Sequence, residues 1–165
     1  VRIDADDIRT IFPNYTGANS HIFQRACTLG VNLLFNYVLH NDINALLDGT
    51  FAYERAMENI ERSLKHNRDI LIYYLFQDPV IAWKFTKARE AEEGRKVSKE
   101  VFINAFVRAR ENVEQAKANF GDKIELNLII KDFTKDFEQI YPNVNHLDKY
   151  LPKIYTKEEL ENIIL

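Results

Sequence analysis

Cysteine is nearly absent: the 165-residue chain holds one, Cys27, so no disulfide framework and no cysteine-based zinc site can be built. Set among apolar neighbours in "FQRACTLGVNLLF", it reads as a small buried hydrophobe. Glycine and proline are scarce too, at five and four, which argues against linker-rich or fibrous segments. No apolar run reaches the roughly 18 to 20 residues that span a bilayer, and the first residues carry acids where a leader would carry a basic and then an apolar stretch. A cytoplasmic protein with no membrane partner is expected. Nor is there a basic excess. The formal net charge of −3 gives no footprint for a nucleic-acid backbone, so no nucleic-acid partner is expected. The histidines, His21, His40, His66 and His146, are scattered without paired spacing, and neither a zinc site nor a serine-type triad has support.

What is present is an ordinary globular balance, 46% hydrophobic and 28% charged. The length suits one domain with a real core, expected over residues 1–165 with a core to 132 and a helical tail from 133 to 165. "VRID" is a brief extended start. "NSHIFQRACTLGVNLLFNYVLHN" has apolar residues at helical spacing, Ile22, Ala26, Leu29, Leu33 and Tyr37. "INALLDGT" reads as a short buried strand breaking at Asp-Gly, and "AYERAMENIERSLKHN" as a helix with Ala56, Ile60 and Leu64 on one stripe. "DILIYYLFQDP", apolar without alternation, has the pattern of a central strand covered on both faces. Pro79 then opens a helix that Gly94 stops. "SKEVFINAFVRARENVEQAKANF" forms another, closed by Gly121, and "KIELNLIIKD" a further strand. The tail is expected to hold short helices broken at Pro142 and Pro152, with Thr156 and Glu159 as a capping box. Trp83, Met57 and the Tyr and Phe residues are taken as core. Strands alternating with helices describe an α/β domain with a mostly parallel sheet, whose ligand sits beyond the carboxyl ends of the strands.

Both acidic clusters fall at such ends. Among Asp4, Asp6 and Asp7, one reading makes Asp6 the cap of a helix starting near Asp7. The other makes a carboxylate here the acceptor of a substrate hydroxyl proton, as phosphoryl transfer requires. In "LLDGT" the acid could hold a magnesium ion or a substrate hydroxyl, with Gly49 allowing close approach, or could form a plain turn. In "KAREAEEGRKVS", Lys87, Arg89, Arg95 and Lys96 bracket an acidic patch. Pairing along the helix surface, Arg89 with Glu92 or Glu93, is one account; a mobile cationic segment closing over phosphates, hinged at Gly94, is the other.

Taken in order, "IDADDIRTIFPNY", "LLDGT", "DPVIAWKFTKAREAEEGRKVSKEVF" and the helix that follows resemble the zeta-toxin family of P-loop kinases; the tail beyond Gly121 resembles only a narrower branch of it. The resemblance implies a P-loop kinase-like α/β fold, a mostly parallel sheet flanked by helices. It implies transfer of the γ-phosphate of ATP, with Mg2+, to the sugar hydroxyl of UDP-N-acetylglucosamine, a sugar-nucleotide substrate, and inhibition by a small antitoxin protein. By position, Asp6 matches the general base, Asp48 and Thr50 the acid-Gly-Thr that contacts the sugar nucleotide, and Arg89 and Arg95 the arginines that reach the phosphates. Arg9 stands where the family has a basic residue, and Asn32 near a family acid that touches substrate.

One departure is large. A P-loop kinase holds its phosphates with a GxxxxGK[ST] turn, and the chain contains none; "FGDKIEL" fits neither the spacing nor the position after a strand. In the family that loop and its strand lie just upstream of the residues matching "VRIDAD". The expectation is therefore a chain that starts after its first strand and phosphate loop, and whose 165 residues alone turn over no ATP. Tight ATP binding by them would overturn it. Two alternatives stand beside the kinase: a catalytically incompetent module that binds a nucleotide or protein on the same scaffold, and a kinase with a different acceptor.

Overall fold

The computed structural model describes residues 1–133 and 137–165 and divides into two compact units, Val1–Gly49 with Thr86–Val97, and Thr50–Phe85 with Ser98–Leu165.

The first unit holds β1 (Arg2–Asp4), α1 (Ala5–Thr10), α2 (Ser20–His40) and β2 (Leu46–Asp48). β1 and β2 pair in parallel with Asp4 opposite Asp48, so the carboxyl ends of both strands carry an acid at the same level. The helix after β1 starts earlier than expected, at Ala5, and its cap is Asp4: the Asp4 carboxylate accepts the Asp6 backbone N–H at 2.8 Å. Asp6 is thereby released from the capping role and sits inside the first turn, its side chain available for other partners.

Helix α2 has two apolar stripes, and the structure buries the one that the spacing of Ile22 and Leu29 does not mark. Ile3 of β1 packs with Phe35, Val38, Leu39 and the partly buried Val31 and Ile43, while Cys27 is fully enclosed and burial pushes its thiol pKa up. Ile22, Leu29, Leu33 and Tyr37 face outward, each more than half exposed. β2 also departs from expectation: Leu46 is 58% exposed, because β2 is paired only to β1 among the described strands and has three residues.

The second unit contains α3 (Ala56–Lys65), β3 (Leu71–Gln77), the first part of α4 (Pro79–Glu93), α5 (Lys99–Phe120), β4 (Glu125–Asp132), β5 (Phe137–Tyr141) and α6 (Lys157–Ile163). Pro79 opens α4, with the Asp78 carboxylate accepting the Val80 and Ile81 N–H groups. Gly94, at φ 71°, ends it, and Gly121, at φ 54°, closes α5. The sheet order is β3-β4-β5, parallel for the first pair and antiparallel for the second. Among the described strands β4 is therefore the central one and β3 an outer one, and the exposure of Leu71, Tyr73 and Leu75 corrects the reading of "LIYYLFQ" as covered on both faces. Ile72, Tyr74 and Phe76 turn toward a core built from Val113, Leu126, Leu128, Val144 and Leu147, and Leu71, Tyr73 and Leu75 lie on the opposite, exposed face. An apolar run has no alternation to reveal which face is packed, so pattern alone cannot tell a central strand from a one-sided one.

The tail expected to be short helices contributes β5 as well as α6; residues 134–136 of it lie outside the described residues. Its capping box forms as expected, Thr156 accepting from the Glu159 backbone and Glu159 from the Thr156 N–H. Trp83 packs with Ile103, Leu160 and Ile164, whereas Tyr73, Phe85, Phe133 and Tyr150 are exposed and do not join the core expected of the aromatics. Among the described residues no helix is long and apolar enough to cross a membrane.

The packing of β3 has an alkaline consequence. Burial pushes the Tyr74 phenol from its ordinary value of 10.0 to about 12. A raised folded-state value contributes stability that is fully present below pH 10.0 and lost as pH rises through about 12. Urea denaturation across that interval should therefore show a steeper loss for the wild type than for Tyr74→Phe; identical losses would place Tyr74 outside this effect.

Candidate functional site

The site grows from the turn between β1 and α1. β1 delivers its end to the helix cap at Asp4, the first turn of α1 lifts Asp6 beyond the strand, and one turn later Arg9 comes onto the same face at i+3. The Asp6 carboxylate then divides its two oxygens. Oδ1 accepts from Arg9 Nη1, and Oδ2 accepts from Arg95 Nη1 at 2.5 Å, with Arg89 Nη2 at 3.6 Å from the same oxygen. Three guanidinium groups thus surround one carboxylate in the first unit.

They differ in exposure, and this separates their roles. The Arg9 side chain is 4% exposed and those of Arg95 and Arg89 are 30% and 57%. A buried guanidinium costs several kcal/mol to desolvate unless it is paired, and Arg9 has two partners, Asp6 and the Gln24 side-chain oxygen at 2.5 Å from its Nη2. Its Nε is buried with no hydrogen-bond partner. Arg89 is also held along α4 by Glu93, 3.3 Å away, and this pairing raises its pKa further. Helix-surface pairing and convergence on Asp6 therefore hold together for Arg89.

The segment carrying Arg95 is seated by a backbone contact. Gly17, at φ 73°, lies so close to α4 that a Cβ there would fall 2.1 Å from the Glu93 carbonyl oxygen, and Gly94, itself at φ 71°, stands across from Thr16. Both glycines are required by positive φ and by the close approach of two chains. Gly17→Ala should displace the Glu93–Arg95 segment and cost about 1–3 kcal/mol in chemical denaturation from the strained backbone alone, whereas Gly49→Ala, where an added Cβ meets nothing within 4 Å, should leave stability unchanged. Equal midpoints for the two variants would contradict this contact.

The other sequence candidates fall elsewhere. Asp48 is engaged by Arg2, whose Nε donates to it at 3.1 Å while its Nη2 pairs with Asp4, a separate cluster at the ends of β1 and β2. Thr50 is exposed and belongs to the second unit. Asn32 is half-buried on α2. Sequence reading missed Gln24, Arg2 and Gly17. Gln24 stands one turn before the enclosed Cys27 on α2, and a polar residue beside that stripe was the available signal. For Arg2 it was the acid-rich composition around a lone cation.

The donor set bears on what the site could hold. Arg95 and Arg89, partly exposed, present fork-shaped cationic donors suited to a phosphate. Among the described residues no group of three or more His, Cys, Asp or Glu is disposed to hold a metal ion.

Parallel strands whose carboxyl ends carry acids, followed by a carboxylate clasped by arginines from a distant helix and loop, are consistent with a P-loop kinase-like α/β protein. The profile of the Zeta toxin family matches residues 1–145, and the chain belongs to that family. No curated protein matches the chain. Membership puts the chain among kinase-like, ATP-dependent enzymes, a family that generally uses ATP and Mg2+ and is generally associated with antitoxins and nucleotide substrates.

Proposed function

We propose that the protein is a small-molecule kinase that transfers the γ-phosphoryl group of ATP to a sugar hydroxyl of UDP-N-acetylglucosamine, and that Asp6 is its general base. The observation that carries the reading is the convergence of Arg9, Arg89 and Arg95 on the Asp6 carboxylate. Family membership supports the phosphotransfer, and the acceptor follows from the resemblance of Asp48 and Thr50 to the acid-Gly-Thr pattern.

ATP, when bound, supplies the phosphoryl group that moves. The described residues act on the acceptor hydroxyl and on the charge of the moving group. Asp6 Oδ2 takes the proton of the acceptor hydroxyl as its oxygen attacks. For that to happen Arg95 must give up its bond to Oδ2, and it is placed to follow the charge developing on the transferred group, with Arg89 beside it. Arg9 stays on Oδ1 and keeps the carboxylate aimed. Asp48 orients the sugar nucleotide from the end of β2, with Asn32 of the same unit as a further contact, and a small antitoxin is the partner that would hold the enzyme inactive.

A panel of sugar nucleotides incubated with ATP, Mg2+ and the full-length gene product tests the reading through acceptor-dependent ADP release. Release stimulated by UDP-N-acetylglucosamine above the other acceptors is expected. Stimulation by another acceptor alone would replace the substrate, and nucleotide binding without release under any acceptor would replace the kinase with a binding module.

A further inference from the structure

Arg9 is the most enclosed charge around Asp6, and its surroundings are under-supplied with acceptors. Its Nη1 meets the Asp6 carboxylate, its Nη2 meets the Gln24 side-chain oxygen at 2.5 Å, and its Nε has no partner. Gln24 comes from α2, fifteen residues away, and α2 is brought against α1 where Gly30 lies next to Ile8; a Cβ at Gly30 would stand 3.0 Å from Ile8 Cγ2. The guanidinium is therefore pinned at both ends by two different helices. With one end free it would rotate about its stem, and the direction in which Asp6 Oδ2 points would no longer be set.

We propose that Gln24 is a positioning residue that fixes Arg9, and through it the Asp6 carboxylate, for proton abstraction. The inference rests on Asp6 as the base. Gln24 touches neither the acceptor nor the phosphates; it acts through Arg9. An amide suits the task because it accepts from the guanidinium without adding a second negative charge to compete with Asp6 for it. Methionine at this position keeps the length and loses the acceptor, and glutamate keeps the acceptor and adds the charge.

The test uses the full-length protein with ATP and UDP-N-acetylglucosamine and reads kcat, acceptor KM and the nitrogen NMR signals of the Arg9 guanidinium. In the wild type, anchoring at both ends gives separate, slowly rotating Nη signals. Gln24→Met should collapse them by free rotation and lower kcat roughly 10- to 100-fold, with acceptor KM unchanged. Gln24→Glu should restore the separate signals and most of kcat, but move the acid limb of the pH–rate profile upward because Arg9 is shared between two carboxylates. Unchanged Nη signals, unchanged kcat in Gln24→Met, or a KM effect in place of a kcat effect would each overturn the assignment. Failure of the underlying reading is seen separately: Asp6→Asn with wild-type kcat removes Asp6 as base whatever Gln24→Met does to the Arg9 signals.

Discussion

Asp6→Asn should lower kcat for phosphoryl transfer by about 10²–10⁴-fold, the range ascribed to a positioned general base, while leaving ATP binding close to that of the wild type. Asparagine keeps the size of the side chain and removes the proton acceptor. The substitution also has a structural price, since Arg9, with 4% of its side chain exposed, loses its anionic partner. Breaking a fully buried pair costs about 3–5 kcal/mol and an exposed one about 0–1; Asp6, at 36% exposure, falls between these limits. Steady-state kinetics should therefore be read beside a denaturation curve, at a temperature where the variant is folded. Folded Asp6→Asn protein with wild-type kcat would remove Asp6 from the mechanism.

Arg95→Ala is expected to have a comparable effect by another route. In the resting arrangement Arg95 occupies Asp6 Oδ2 at 2.5 Å, so deleting it uncovers the base. If uncovering the base were what limits the reaction, kcat would rise. The proposed role is the opposite: an arginine that follows charge on the transferred phosphoryl group is worth about 10³–10⁵ in rate, and its loss should dominate. Arg95→Lys should recover little, because an ammonium lacks the planar fork. Arg89→Ala should be milder, since Arg89 lies farther from Oδ2, at 3.6 Å, and is shared with Glu93. A rise in kcat for Arg95→Ala would make Arg95 an inhibitory strap and not a catalytic group.

The order of strands and helices as far as β4 was legible because turn chemistry announces it, whereas β5 falls in the tail expected to be helical. Pro79, Gly94, Gly121, Ser98 and the Thr156–Glu159 box each mark an end that the structure respects. What stayed hidden is which face of an element is packed. Helix α2 carries two apolar stripes, and the choice of Phe35, Val38 and Leu39 over Ile22, Leu29 and Leu33 is made by Ile3 arriving from β1, a contact across more than thirty residues that spacing cannot encode. The unbroken apolar run of β3 concealed a one-sided strand in the same way.

At the site, the sequence marked Asp6, Arg89 and Arg95 as separate candidates from two distant segments, and the structure joins them on one carboxylate. The cap assignment failed by two residues because Asp4 and Asp6 are equally good capping types, and only the starting point of the helix decides between them. Arg9 was legible as a charge but not as a buried one. Its burial depends on α2 closing over α1, and with it the part played by Gln24.

Phosphorus NMR of UDP-N-acetylglucosamine incubated with ATP, Mg2+ and the full-length protein is the most direct measurement of the central claim. The account predicts a new phosphomonoester resonance coupled to the sugar, growing as ADP appears, and absent with Asp6→Asn. Consumption of ATP to inorganic phosphate alone, or the same phosphomonoester formed at the same rate by Asp6→Asn, would contradict it.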